Sequence, residues 1–392
     1  MKLLKFELKK LFSKKFVLVS LALLFCLNAF NIWQNYAKYS RFHPGYELEW
    51  QRKVFYEKLE GELTSEKVKW IKGYNEKMSY YVQSGIGGDV EFIGENATAD
   101  MYLSGEFLDE IKRIYNYNSE IKQLKADNAE RRENARSHGN GYLEKSADKI
   151  DRTYGDRTIE SFYDYNAFET YFSYTFSSFF VLLILLLAFS PLFAGEHESG
   201  MYLCFMASEN GRKKTSTAKL GAMAVFTVFV SALFAISDLI MFYFCVRLRG
   251  FSVPIYALES FKYSSLTCSI GTFIFLMFLI KVLGFISFGL MYSVLSSMFH
   301  KSYEVFASGL VLTFALMFLS AYSKGVLDLF NVINPINLII GSNMFMSFDV
   351  VNIFSSPVWR WALTLICCLL FTVLMFFTVN TINNKNVRRV KR

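Results

Sequence analysis

Ser190–Lys219 reads SPLFAGEHESGMYLCFMASENGRKKTSTAK and lies between two long uncharged runs. It carries Glu196, His197, Glu198, Arg212, Lys213, Lys214 and Lys219. A helix crossing hydrocarbon does not hold such a cluster, because an ionised side chain at depth is costly. The stretch is therefore a connection between two membrane spans. Its basic second half places it on the cytoplasmic side, where Lys and Arg concentrate. That reading decides the fold, since the flanking runs become transmembrane helices and the other apolar blocks can be read in the same way.

Composition agrees. The chain has 392 residues, is 53% hydrophobic and 18% aromatic, and has a formal net charge of +8. Its apolar residues come in long blocks separated by charged ones, the pattern of a polytopic membrane protein. Lys and Arg gather beside those blocks, so topological anchoring accounts for the positive charge and a nucleic-acid partner is not expected. Cys26, Cys204, Cys245, Cys268, Cys367 and Cys368 form no C-x-x-C pair, which argues against a metal site. None falls between Gln34 and Thr170, so that polar block is expected to fold without disulfides.

Residues 1–15 (MKLLKFELKKLFSKK) place Leu3, Leu4, Leu8, Leu11 and Phe12 near helical spacing among lysines. This is the pattern of a basic amphipathic helix lying on an anionic leaflet. Residues 16–33 are too long for a signal-peptide core and no small-x-small site follows, so they form an uncleaved first span. Residues 34–170 are the one large polar block. Tyr46–Gln83 and Gly105–Arg136 both read as helices, the second with Phe107, Ile111, Ile114, Ile121 and Leu124 on one face. Glycine-rich Ser84–Gly94 separates the two, predicting an antiparallel helical pair on the extracytoplasmic side. It is either a binding domain or a solvated spacer.

Residues 171–392 read as a five-helix bundle. Tyr171–Ala194 is the second span and Leu220–Val246 the third. Asp238 in the third is a functional candidate, as an intramembrane carboxylate is by default. Arg247 and Arg249 follow closely, however, which favours an interfacial ion pair. Tyr263–Phe299 is long for one straight crossing and is interrupted by Lys281, the other possible intramembrane polar residue. One crossing from about Lys281 to Phe299, after an apolar or re-entrant segment, keeps the basic tail inside. Val305–Tyr322 is the fifth span. Residues 323–357 are broken by Lys324, Asp328, Pro335, Asp349 and Pro357 and read as a re-entrant outer segment. Val358–Ile382 is the sixth span, and Lys385–Arg392 anchors the tail inside. The expected fold is thus an all-α polytopic membrane protein. It has six transmembrane helices and a large, mainly helical extracytoplasmic domain between the first and second. The expected location is the plasma membrane, with both termini cytoplasmic.

The order Gly195-Glu196-x-Glu198-x-Gly200, an apolar turn, then Arg212 and Lys219 before the next span resembles the first cytoplasmic loop of ABC-2-type transporter permeases. Met201 stands where that family usually has Thr, and Asn210-Gly211 where it often has Pro or Ser. The resemblance implies that residues 195–219 dock onto a separate ABC ATPase subunit, which binds the ATP and Mg. It further implies a second permease copy or a related permease beside this one. Under it, Glu196 and Glu198 would meet basic groups or cap backbone amides. Arg212 would pair with acidic groups on the ATPase or on this loop.

The chain shows no catalytic chemistry of its own. There is no G-x-x-x-x-G-K-[ST] loop to cradle phosphates, no H-E-x-x-H or Cys/His ligand spacing, and no G-x-S-x-G elbow. No cofactor is expected in this chain. Two functions remain: the permease subunit of an ATP-driven exporter, or a non-transporting sensor or immunity-type protein whose outer domain binds a peptide or lipid.

Overall fold

The computed structural model describes residues 2–37, 46–84, 92–93, 96–201, 211–322 and 330–390. Six helices in it are long and apolar enough to cross a membrane: Lys15–Tyr36, Tyr165–Glu198, Lys214–Val246, Ile270–Met298, Ser302–Tyr322 and Arg360–Asn383.

Helix α1 (Lys2–Phe12) leads into α2 (Lys15–Ile32). It does not simply float on its apolar face. Leu11 is buried, Leu4 touches the backbone of Gly221, and Phe12 packs its ring on Phe226 and Phe229. Leu3 and Phe6 stay exposed on the other side.

The polar block forms an insertion domain: α3 (Tyr46–Leu59), β1 (Gly61–Glu62), α4 (Ser65–Ser84), α5 (Ala97–Ser137), α6 (Gly141–Tyr154) and β2 (Ser161–Phe162). The single helix expected over Tyr46–Gln83 is two helices. Gly61, at φ 95°, breaks it, a backbone region that a Cβ disfavours. The break lets β1 pair antiparallel with β2, tying the start of the domain to its end. Helix α5 has 41 residues, so it is about 60 Å long. Asn96 caps its start by accepting from the Ala99 amide at 2.8 Å. Phe107, Ile111, Ile114 and Ile121 are buried on its inner face against Phe55, Leu59 and Ile71. Burying each such side chain is worth about 1.5–3 kcal/mol, which accounts for a domain built without disulfides. Of the glycine-rich Ser84–Gly94 stretch, most lies outside the described residues.

The bundle follows: α7 (Tyr165–Ser173), α8 (Phe176–Phe189), α9 (Ala194–Glu198), α10 (Gly211–Val246), α11 (Ile270–Met298), α12 (Ser302–Tyr322), α13 (Ile336–Ile340), β3 (Val350–Ile353), β4 (Ser356–Trp359) and α14 (Arg360–Val390). Glycines set the close approaches. A Cβ on Gly289 would lie 2.7 Å from Met223 Sδ, and one on Gly309 would run into Leu186 Cδ1. Small residues let helices pack where lipid supplies no hydrophobic drive between them.

One expectation is corrected here. Residues 263–299 do not begin their crossing near Lys281. One continuous helix of 29 residues starts at Ile270, and Lys281 sits in its middle. Hydropathy weakens at a lysine, but the backbone hydrogen bonds of a helix do not depend on the side chain, so the charge interrupts the pattern without ending the helix. Within residues 323–357, residues 323–329 lie outside the described set. The rest is a short apolar element, α13 with the turn Gly341–Phe345, and then the β3–β4 hairpin. Ile339 and Leu338 of α13 press on Gly284, in the middle of α11.

The bundle has two distinguishable ends. At one, the insertion domain rests on the 247–269 connection and on the β3–β4 hairpin. Tyr154 Oη donates to Tyr263 O at 2.6 Å, Lys262 pairs with Glu120 at 2.6 Å, and Lys149 Nζ donates to Pro357 O at 2.6 Å. At the other, α1, the 190–219 connection, the His300 turn and the distal part of α14 meet. Ser216 there donates to Asn380 Oδ1 at 3.0 Å. The N-terminal helix and the C-terminal helix thus reach the same end of the bundle.

Candidate functional site

The start of the 190–219 connection is held on four sides. Phe189 closes α8, and the chain turns through Ser190–Phe193 into the short helix α9. Ser296 Oγ, fully buried on α11, accepts from the amides of Phe193 at 2.9 Å and Ala194 at 3.1 Å, and donates to Ser190 O at 2.8 Å. This one hydroxyl satisfies three backbone groups of the turn. Gly195 sits in a tight place, where a Cβ would lie 3.2 Å from Pro191 Cβ. Gly200 adopts φ +69°, in the left-handed region, just before the end of the described part of the turn at Met201.

Glu196 points inward. Its side chain is 8% exposed, and its carboxylate forms a direct ion pair with Lys219, whose side chain is 1% exposed. Lys219 Nζ also donates to Leu192 O at 2.7 Å and lies over the Phe193 ring at 4.8 Å. Lys10 of α1 approaches the same carboxylate at 3.8 Å. Lys14 stands beside this group. Burial, with the positive charges of Lys10 and Lys219 nearby, holds its ammonium down at about 8. The pair is thus a cross-brace between the two ends of the connection, with α1 leaning on it.

Glu198 is exposed but committed. Its carboxylate accepts from the Ser302 amide at 2.7 Å and from Ser302 Oγ at 2.9 Å. Ser302 is the first residue of α12, so Glu198 caps a helix from another connection, where a negative charge meets unpaired amides and the positive end of the helix dipole. The rings of His197 and His300 lie 5.0 Å apart alongside. Residues 202–210, the apolar turn, lie outside the described set. Arg212 falls in the first turn of α10, with its side chain outside that set. Ser199, Gly200, Met201 and Lys214 are exposed around this place.

The two intramembrane candidates stand elsewhere, and the expected ion pair of Asp238 with Arg247 or Arg249 is not formed. Asp238 lies two helical turns, about 12 Å, before the end of α10, too deep for arginines that follow the helix. Arg249 instead pairs with Glu60 of the insertion domain at 2.9 Å. Asp238 Oδ1 accepts from Asn28 Nδ2 at 2.6 Å, and Asn28 Oδ1 accepts from Tyr174 Oη at 2.7 Å. Ser177 is a further hydrogen-bond partner of the carboxylate. These bonds join α2, α8 and α10 inside the bundle. Lys281 of α11 lines the same cavity of about 460 Å³.

The structure therefore brings Gly195, Glu196, Glu198 and Lys219 together, and separately Asp238 with Lys281. Sequence reasoning missed Lys10, Ser296, Ser302 and Asn28. Asn28 was findable as the first of two amides, with Asn31, in the apolar run from Phe16 to Ile32. Ser296 was not, since Ser293, Ser296 and Ser297 look alike until their partners are known.

The family model described as ABC-2 family transporter protein matches residues 31–379. Comparison with curated proteins finds no match.

Proposed function

Since the chain belongs to the ABC-2 transporter family, we propose that it is the membrane-spanning permease subunit of an ATP-driven exporter in the plasma membrane. A separate ABC ATPase subunit, carrying the ATP and Mg, docks on the connection 195–219. Both termini and this connection face the cytoplasm, and the insertion domain faces outward. A second copy of this chain or a related permease completes the transporter.

The observation that carries this reading is the bracing of the connection. Ser296, Lys219, Lys10 and Ser302 tie its first turn to α11, α10, α1 and α12. A displacement applied at Met201 is therefore delivered to four helices at once, whereas a floppy loop would absorb it. Glu196 and Glu198 act as transmitting residues, and the exposed Ser199–Met201 edge with Lys214 forms the contact. A large differential contact of this kind is what a partner needs in order to shift a conformational equilibrium.

Glu198→Ala separates transmission from docking. It removes the bond to Ser302 but leaves the buried Glu196–Lys219 brace intact. The lost cap is worth about 0.5–2 kcal/mol, which a folded bundle tolerates. In proteoliposomes containing the ATPase, binding should be retained while ATP-driven transport falls by about tenfold or more, equivalent to ~1.4 kcal/mol. Transport at the parental rate, with the Ser302 contact gone, would remove Glu198 from the coupling path.

A further inference from the structure

The cavity between α8, α10 and α11 holds a charge that the loop does not use. Among the described residues, Lys281 makes no hydrogen bond or ion pair; it stands near Asp238 only as one charge acting on another. Ser231 Oγ lines the same cavity, in a side chain only 4% exposed, and is buried with no hydrogen-bond partner. Asp238, by contrast, already accepts from Asn28 and Ser177. The open requirement is thus for acceptors, on the side of a lysine and a hydroxyl. A buried donor without a partner is costly, so an anionic oxygen placed there would be held strongly.

Most of the remaining wall is apolar, with Val181, Met277 and Phe285 among its members. Two lining residues are open on the flank of the bundle, Ile236 at 58% and Phe275 at 62%. The mouth therefore faces sideways, toward lipid chains, and not along the bundle axis. Lys281 is three turns into α11, about 16 Å from its start, near the middle of a hydrocarbon layer about 30 Å thick. A volume of about 460 Å³ is roughly three times that of an apolar cavity of about 150 Å³ known to take up benzene. That suits one alkyl chain.

We propose that this cavity binds a single-chain amphiphile with an anionic carboxylate or phosphate head, which enters sideways from the membrane. The head lies on Lys281 and Ser231, and the chain lies along Val181, Met277 and Phe285. The inference needs the membrane-spanning fold but neither the ATPase nor transport, so it stands or fails separately from the docking of 195–219.

The test uses the purified full chain in phosphatidylcholine nanodiscs, labelled with a diazirine-bearing palmitate. Adducts should map to α10 and α11 around Ser231 and Lys281. Palmitate or hexadecyl phosphate should compete at concentrations about tenfold below those of hexadecanol or hexadecylamine, and the better of the two acids identifies the head. Lys281→Met should weaken labelling by about tenfold or more, while Lys281→Arg keeps it. Ala235→Phe, on the cavity wall, leaves every charge in place and should abolish labelling by filling the space. It also decides the matter if Lys281→Met does not fold. Equal competition by hexadecanol, labelling unchanged in Ala235→Phe, or labelling unchanged in a folded Lys281→Met would overturn the assignment. A preference for zwitterionic hexadecylphosphocholine over hexadecyl phosphate would overturn it too, by moving the head onto Asp238.

Discussion

Glu196→Ala is expected to lose about 3–5 kcal/mol of stability, because it leaves a buried lysine without its counter-ion. Lys219 is 1% exposed, and among the described residues its further company is the Leu192 carbonyl, the face of the Phe193 ring and, at longer range, the buried Glu7 carboxylate of α1. None of these is a direct counter-ion. Lys10 cannot compensate, since it carries the same sign. Lys219→Met should be damaging for the mirror reason, with a buried carboxylate left to Lys10 at 3.8 Å. The double variant Glu196→Ala/Lys219→Met should recover at least about half of the larger loss, because removing both members of a buried pair is often close to neutral. Thermal unfolding of all four forms in detergent closes the cycle and isolates the coupling. A double variant as unstable as the sum of the singles would mean that the two residues are not one unit. The loop would then owe its position to Ser296 and to the Glu198–Ser302 bonds.

Arg157→Ala is the second large effect, and it falls at the other end of the molecule. The Arg157 guanidinium lies 4.5 Å from the Tyr154 ring and 4.7 Å from the Tyr256 ring, and its Nη2 donates to Leu266 O at 3.1 Å. At 4% exposed, it is a buried rivet between the insertion domain and the 247–269 connection. A desolvated cation–π contact is worth about 2 kcal/mol and a hydrogen bond from a charged donor about 1.5–3 kcal/mol. Arg157→Ala should therefore cost about 3 kcal/mol or more at this joint. Arg157→Lys should not restore it, because a compact ammonium cannot be sandwiched by two rings and reach a carbonyl together. Hydrogen exchange is the readout: amides of 141–162 and 247–269 should lose protection together, while α8 and α11 keep theirs. Unchanged protection at 247–269 would show that the domain is held by Arg249–Glu60 and Lys262–Glu120 instead.

The membrane-spanning character was legible in the sequence because it is written in the amount of apolar residue per window, and Ser190–Lys219 stood out by contrast. The inner face of α5 was legible for a similar reason, since Phe107, Ile111, Ile114 and Ile121 repeat at helical spacing. What the charges of the loop do was harder to see. Glu196 and Glu198 look alike in sequence, yet one is buried against Lys219 and the other caps α12. The partner of Glu196 stands at the far end of the same connection and that of Glu198 in another connection, so neither pairing shows as a local spacing. Asp238 misled for the opposite reason. Arg247 and Arg249 are close in sequence, but in a helix that closeness becomes two turns of depth, and Asn28 of α2 is the true neighbour. Lys281 weakened the hydropathy of its run enough to suggest a boundary, although its charge is accommodated by a cavity that exists only once several helices pack together.

The central claim is that a separate ATPase engages the connection 195–219, and Met201 tests it most directly. Met201 is 51% exposed beside the braced turn, while Tyr102 is 70% exposed on the insertion domain. A photo-crosslinking amino acid is placed at each position in turn in the full chain, and intact cells are irradiated. The account predicts an adduct from Met201 with a subunit bearing a phosphate-binding ATPase loop, and no such adduct from Tyr102. An ATPase adduct from Tyr102, or none from Met201 in a normally inserted chain, would contradict it.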